Sequence, residues 1–478
     1  MSKPNILFIN TDQHNFDAIS AYGNKWVETP NIDRLHANGI SFTRSYCSDP
    51  VCAPTRASWM SGLYTSENGV PFNDGSLHDD ITDLGELLSG GGYNTYQCGK
   101  WHVDGRDINR GFTDLYSGKR PIVASAGELY DAPSTHAAID LLATYQDEKP
   151  WYLQIAYVNP HDICEVGHNY EHNDVRRIPG PLEQGVFTEE ELPPVPGNYH
   201  YDTDETVLQI VSRRIDEPLI HGWQNRYLKH WSELQWRMHR WNYYRLIEKV
   251  DQEIGLLLAA LEASPFKDNT LIIFSTDHGE AAGSHRMFQK FTLYEESVHV
   301  PFIVSSLGGS PSVPKNTFDR EHFVSSVDLL PTVCDYAGVP APAQVSGKSV
   351  RPLVENQEAG WRDHAYIESN YWGRAVIGER YKYVTEYIPV EDEDFVPPSA
   401  DNRERGREQL FDLETDPFET RNLAGDAEMT DVVGRMRAEL KRIESTIRRR
   451  KITEDGPQRT ITRWGEKILE YWKTQALS

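Results

Sequence analysis

The sequence predicts an α/β protein: a mainly parallel central sheet sandwiched by helices, with a smaller C-terminal α+β subdomain that contains an antiparallel sheet. Two observations carry the central sheet. The runs Asn5–Asn10, Tyr152–Val158 and Thr270–Ser275 are nearly continuous in apolar, β-branched or aromatic residues, as strands buried on both faces are. Each ends abruptly in polar residues, Thr11-Asp12-Gln13, Asn159-Pro160-His161 and Thr276-Asp277-His278. In such sheets ligands bind beyond the carboxyl ends of the strands, where these residues would lie.

The other elements follow in chain order. Helical patterning covers Thr29–Leu35 and Ile81–Leu88, and between them Cys52-Ala53-Pro54-Thr55-Arg56 leads into a helix start. From Asp162 to about Trp231 periodicity gives way to Pro, Gly, Asn, His and acidic residues, a long insertion of the kind that in compact domains is functional or disordered. A long helix is predicted from about Trp231 to Leu261, with Leu234, Met238, Trp241, Ile247, Ile254, Leu257, Leu258 and Leu261 near one face as a core stripe. The small-residue stretch Val339–Ala343 reads as a linker, which places a first domain at 1–345 and a second at 346–478. In the second, Tyr366–Glu368, Arg374–Ile377 and Tyr381–Val384 predict antiparallel strands, followed by a polar helical tail from about Met429.

With 38% hydrophobic, 25% charged and 11% aromatic residues, the 478-residue chain is globular rather than disordered. Lys+Arg 48 against Asp+Glu 72 leaves a net charge of −24, which argues against nucleic acid and anionic membrane as partners. An anionic ligand then needs a local cationic site. The N-terminal run Ile6–Ile9 is too short for a signal peptide's apolar region, so a cytoplasmic location is expected. Five cysteines at scattered spacings, with no Cys-x-x-Cys pair, suggest neither a disulfide framework nor a zinc site.

The strand ends carry the chemistry. Asp12, Asp277 and His278 would bring two carboxylates and an imidazole together, a donor set suited to a hard divalent cation such as Ca²⁺ or Mg²⁺. The same aspartates could simply cap helices. Cys52, at a helix start beside Arg56, has surroundings that favour a thiolate and anions, although most free cysteines are buried and inert. Lys100 and His102 lie two residues apart, on one side of the chain if it is extended, and Lys290 follows His278 by twelve residues.

Together these residues resemble the type I sulfatases of the alkaline phosphatase superfamily, across almost the whole chain. Cys52-x-Pro54-x-Arg56 with Ser61-Gly62 is similar to that family's first signature, and Gly92–His102 to its second. Asp277-His278-Gly279-Glu280, Lys290, Tyr294-Glu295, Val300-Pro301, Asp328–Thr332, Gly347–Ser349 and Leu410–Pro417 with Asn422-Leu423 follow its later landmarks. The resemblance implies an alkaline phosphatase-like fold and hydrolysis of an organic sulfate ester. It implies that a formylglycine-generating enzyme converts Cys52 to formylglycine, whose hydrate attacks sulfur and expels the alcohol. Loss of a proton from the remaining hydroxyl then regenerates the aldehyde and releases sulfate. By position, Asp12, Gln13, Asp277, His278 and residue 52 would hold Ca²⁺, with Mg²⁺ or Mn²⁺ as alternatives. Arg56 and Lys100 would brace the site, and His102 would act as base on the second hydroxyl. His161 and Lys290 would bind sulfate oxygens and assist the leaving alcohol.

The departures from the family pattern also carry expectations. Gln13 stands where many sulfatases carry a second aspartate, and His278 where many carry asparagine, as in choline sulfatases and phosphonate monoester hydrolases. Phosphonate monoester or phosphodiester hydrolysis is therefore the alternative activity, and a catalytically silent binding protein the alternative from another class. Phe291 stands where glycine is frequent. Asp104 and Arg106 are expected to contact substrate, the bland alternative being a mutual surface ion pair. A small-molecule or oligosaccharide sulfate ester is the expected substrate, preferably a sulfated saccharide. His168, His172, His200, His221, Trp223 and His230 of the insertion could line its cleft, or merely pack a long loop.

Overall fold

A computed structural model describes residues 3–73, 75–103, 105–118, 126–165, 188–200, 231–357, 360–369, 373–386 and 408–450. The strands in chain order are β1 (Asn5–Asp12), β2 (Gly39–Tyr46), β3 (Asn94–Lys100), β4 (Thr113–Gly118), β5 (Trp151–Pro160), β6 (Thr270–Thr276), β7 (Phe302–Ser305) and β8 (Thr317–Ser325). After them come β9 (Ala365–Ser369), β10 (Gly373–Ile377), β11 (Tyr381–Glu386) and β12 (Glu408–Asp412). The first eight form one sheet in the order β4-β3-β5-β1-β6-β7-β2-β8. Every neighbouring pair is parallel except the two made by β7.

The continuous apolar runs are explained by what lies on each face. Leu7, Ile9, Leu153, Ile155, Ile272 and Phe274 point to one side, where Ile254, Leu257, Leu258 and Leu261 of the long helix Glu233–Ala263 cover them. Ile6, Phe8, Tyr152, Leu271 and Ile273 point to the other, against the helices Cys52–Ser61, Leu84–Gly90 and Leu329–Ala337. With no solvent face there is no polar alternation for the sequence to show.

Local chemistry sets the helix boundaries. The second predicted helix begins at Leu84 rather than Ile81, because the Asp83 carboxylate accepts the Glu86 N–H at 3.0 Å as its N-cap. The long helix begins after Ser232, which caps it through Gln235. Its buried stripe is wider than predicted: Leu234 and Trp241 are only half-buried, while His239, Asn242, Tyr243 and Asp251 are buried polar residues on it. Asp251 accepts the Ile32 N–H at 2.8 Å, capping the first-turn amides of the helix Pro30–Ala37.

The order β12-β11-β10-β9 is a separate antiparallel sheet, as expected for the C-terminal part. Its residues alternate. Tyr366, Val376, Tyr383 and Leu410 face Val433, Met436 and Leu440 of the helix Thr430–Glu444. Ile367, Ala375, Val384 and Phe411 face Met287, Leu293 and Tyr294 of the segment after β6. Of the insertion's histidines and tryptophan, His168, His172, His221, Trp223 and His230 lie outside the described residues, and His200 is exposed. No described helix is long and apolar enough to cross a membrane.

Register places the polar ends. Thr11 pairs with Thr276, so Asp12 and Asp277 emerge side by side from adjacent strands. Cys98 pairs with Ile155 and Gly99 with Ala156, which brings Lys100 to the same edge. Gly99 has φ +83°, and a Cβ there would sit 2.0 Å from the Ala156 carbonyl oxygen. Gly99→Ala is expected to cost at least about 1–3 kcal/mol, read as a lower urea midpoint. Gly434, in an exposed helical position with nothing within 4 Å, is the control: Gly434→Ala should raise stability by about 0.5–1 kcal/mol.

Candidate active site

Asp12 ends β1, Asp277 and His278 follow β6, His161 follows β5 and Lys100 ends β3, so four neighbouring strands deliver side chains to one edge. Cys52 is the first residue of the helix Cys52–Ser61, and Arg56 lies one turn later on the face turned to that edge. Arg56 donates from Nε to Asp277 Oδ2 at 2.9 Å and from Nη2 to Asp12 Oδ2 at 3.0 Å. Its Nη1 donates to the Lys100 carbonyl at 3.0 Å and to Asn10 Oδ1 at 3.3 Å. Lys100 Nζ donates to Asp12 Oδ2 at 2.5 Å.

The other oxygens face inward. Asp277 Oδ1 accepts the backbone N–H groups of Gln13 (3.1 Å) and His278 (3.0 Å). His278 Nδ1 lies 2.9 Å from the Gly279 carbonyl, which can only accept, so Nδ1 carries the hydrogen. Its other nitrogen, Nε2, is turned into the site, 3.2 Å from Cys52 Sγ, 3.6 Å from Asp277 Oδ1 and 3.9 Å from Asp12 Oδ1. Lys290 Nζ closes the ring, donating to Gln13 Oε1 at 2.9 Å and to Cys52 Sγ at 3.1 Å. His102 and His161 lie close enough to Cys52 to act on its thiol as well.

Charge follows from this packing. Burial pushes the Asp12 carboxyl up and the Cys52 charge adds to that, but Lys100, His161 and Arg56 outweigh both and hold it well below the usual range. Burial and the Asp12 charge push Asp277 up to about 6 against the pull of His278 and Arg56. Burial raises the Cys52 thiol, yet Lys100, Lys290 and His278 bring it well below its ordinary value. His161 is pushed down to about 4 by burial and by Lys100 and Lys290. Ligand atoms of Asp12, Cys52, Asp277 and His278 lie within 4.8 Å of one another. Two carboxylates, the Gln13 amide oxygen and one imidazole form an oxygen-rich set that fits a hard divalent cation.

Asp12, Gln13, Cys52, Arg56, Lys100, His102, His161, Asp277, His278 and Lys290 therefore converge. Lys100 and His102 do so differently from the expectation of one extended chain: β3 ends at Lys100, and His102 is left-handed with φ 49°. Asp104 lies outside the described residues. Arg106, expected to contact substrate, is instead buried; its Nη2 donates to the His78 (2.8 Å) and Ile81 (3.0 Å) carbonyls, with Asp83 and Glu86 alongside. That guanidinium braces the loop before the helix Leu84–Gly90 through Nη1 and Nη2. Sequence reasoning missed Asn10, whose signal was a polar residue inside an apolar run, and Glu280, which holds Gln13 Nε2 at 2.5 Å. It also missed Cys164, whose thiol approaches the Gln13 amide at 3.5 Å.

The sulfatase family profile matches residues 4–339. The chain belongs to the sulfatase family. A second profile, N-sulphoglucosamine sulphohydrolase C-terminal, matches residues 283–446 of this sulfatase. It is 28% identical over 465 residues to a Delta 4,5-hexuronate-2-O-sulfatase of Bacteroides thetaiotaomicron, covering 91% of this chain and 88% of the relative. It is also 28% identical over 467 residues to a choline-sulfatase of Rhizobium meliloti, covering 88% and 82%. The solved structure of a 2-O GAG sulfatase superposes with a TM-score of 0.76 at 26% identity, covering 96% of each chain. The phosphonate monoester hydrolase of Agrobacterium radiobacter shares the fold, with a TM-score of 0.73 at 23% identity over 95% and 99% of the two chains. The protein is thus a sulfuric ester hydrolase of the alkaline phosphatase superfamily.

In this sulfatase Arg56 is the shared counter-charge of two fully buried carboxylates. Arg56→Ala should lower the stability of the metal-free protein by about 3–5 kcal/mol, since it strips Asp277 of its arginine and leaves Asp12 to Lys100 alone. Urea unfolding of the two metal-free proteins checks this.

Proposed function

We propose that this sulfatase removes a sulfate ester from a saccharide, with Cys52 matured to formylglycine and Ca²⁺ held by Asp12, Gln13, Asp277 and His278. The observation that carries the reading is the convergence on Cys52 Sγ: Lys290 Nζ at 3.1 Å, His278 Nε2 at 3.2 Å and Asp12 Oδ1 at 3.8 Å, with His102 and His161 close by. A buried thiol among so many cations and imidazoles is placed as a reacting group is, not as a core side chain. The saccharide is supported by relatives named as a hexuronate-2-O-sulfatase and an N-acetylglucosamine-6-O-sulfatase.

A bound divalent cation supplies charge that polarises the sulfate and favours the ionised form of a nearby hydroxyl. Formylglycine supplies, on hydration, a hydroxyl nucleophile at residue 52. The chain's own residues do the rest. Arg56 fixes Asp12 and Asp277, and Lys100 with Arg56 keeps Asp12 ionised, so that the site is preorganised before substrate enters. Lys290 and His161 would bind the sulfate oxygens and assist the departing alcohol. His102 would take the proton whose loss releases sulfate. Gln13 and His278 lower the negative charge of the set relative to an all-acid one, which keeps phosphonate monoesters as a second substrate class to be tested.

Two outcomes are expected. Mass spectrometry of the Cys52 peptide should show a loss of about 18 Da relative to the thiol, and the modified protein should release sulfate from a panel of sulfated saccharides faster than it cleaves an aryl phosphonate monoester. Release from no sulfate ester at all would sink the reading. His102→Ala should slow turnover by about 10²–10⁴-fold and accumulate a sulfated enzyme visible by mass, with Ca²⁺ binding unchanged.

A further inference from the structure

Gln13 is left-handed, φ 70°, and its backbone is locked on both sides: its N–H donates to Asp277 Oδ1 at 3.1 Å and its carbonyl accepts the Tyr243 hydroxyl at 2.7 Å. Its side chain is aimed by Glu280. Gln13 Nε2 donates to Glu280 Oε2 at 2.5 Å, which turns Gln13 Oε1 toward Lys290 Nζ. Glu280 is fully buried, and its other oxygen accepts the N–H groups of Ala282 at 2.9 Å and Gln289 at 2.8 Å. Gln289 is the residue before Lys290, and is itself left-handed at φ 65°. The Glu280 peptide is clamped in turn: its N–H donates to Asn15 Oδ1 at 2.5 Å, and Asn15 Nδ2 donates to its carbonyl at 2.9 Å. His239 Nε2 lies 3.8 Å from Glu280 Oε1.

An ionised carboxylate only accepts, so it can face only the nitrogen of the Gln13 amide. A flipped Gln13 would set two acceptor oxygens together in a dry site and turn an NH₂ group toward the Lys290 ammonium. We propose that Glu280 is a positioning residue for sulfate-ester hydrolysis: one oxygen fixes which end of Gln13 faces the reaction centre, and the other fixes the backbone that carries Lys290. The inference rests on the reading that Gln13 Oε1 and Lys290 serve at that centre.

A swap of the pair tests it. In Glu280→Gln the new amide oxygen still accepts the two backbone N–H groups, so its nitrogen meets the Gln13 nitrogen and Gln13 must turn. This variant should lose about 10–100-fold in kcat with a smaller change in KM, and a similar factor in Ca²⁺ affinity measured by calorimetry without substrate. Gln13→Glu alone sets two carboxylates against each other and should fail similarly. Gln13→Glu combined with Glu280→Gln rebuilds every hydrogen bond with the donor reversed, and should recover most of both losses. Urea unfolding of the four metal-free proteins gives a ligand-free cycle, in which the double variant should be more stable than the two single losses together imply. Wild-type turnover and Ca²⁺ affinity in Glu280→Gln, or a double variant no better than Gln13→Glu in both activity and the unfolding cycle, would overturn the proposal. Should Glu280→Gln not fold, the comparison of the double variant with Gln13→Glu still decides. If the wild type released no sulfate from any ester, the functional reading would fail, while the unfolding cycle would still report on Glu280 and Gln13.

Discussion

The site depends on one guanidinium. Two parallel strands in register deliver Asp12 and Asp277 side by side into a region without solvent, where like charges a few ångströms apart repel strongly. Arg56 resolves this by geometry as much as by charge: its rigid fork meets one carboxylate with Nε and the other with Nη2, and spends Nη1 on the Lys100 carbonyl and Asn10. Lysine could supply the charge but not three fixed directions. Because Arg56 occupies the outer oxygens, the remaining oxygens are left facing Cys52 and His278. The helix Cys52–Ser61, its fit against β1 through Phe8 and Trp59, and the edge reached by β3 all serve to hold that fork.

Around this centre the backbone is strained in a consistent way. Gln13, His102, Gln289 and Phe291 are all left-handed without being glycine, and each borders or belongs to the converging set. Such conformations persist only where their surroundings over-determine them. Phe291, φ 83°, is held by its N–H to the Pro50 carbonyl at 3.3 Å and by Ser369 Oγ donating to its own carbonyl at 3.0 Å. These two bonds hold a phenylalanine in a conformation that favours glycine. The second also gives the small sheet a part in the site. Ser369 ends β9, and the neighbouring Glu368 accepts Thr65 Oγ1 and both Ser66 donors from the first part of the chain.

What the sequence made legible divides along physical lines. Strand ends and their polar residues could be read because burial on both faces removes alternation and leaves Asp12, His161 and Asp277 as abrupt stops. Pairing and register supply the rest, and they explain what could not be read. Tyr243 falls within a helix that looks like core, yet its hydroxyl reaches the Gln13 carbonyl. Arg106 stands beside Asp104 in sequence, but its partners Asp83 and Glu86 lie on an earlier segment, which only the fold reveals. Glu280 was visible as a letter in a motif; its function as an acceptor that orients an amide needs three dimensions to see.

The burial of Cys52 has a consequence in time. The side chain is only 1% exposed, and the segments that enclose it include Lys290 and the loop tied to Ser369. An enzyme that alters Cys52 must therefore meet it on a chain that has not yet closed. Ser369 follows Cys52 by 369 − 52 = 317 residues, which at about 5–20 residues per second take roughly 15–60 s to synthesise. For the formylglycine proposed at residue 52, the distance in sequence to β9 would set the longest time in which that residue can be reached.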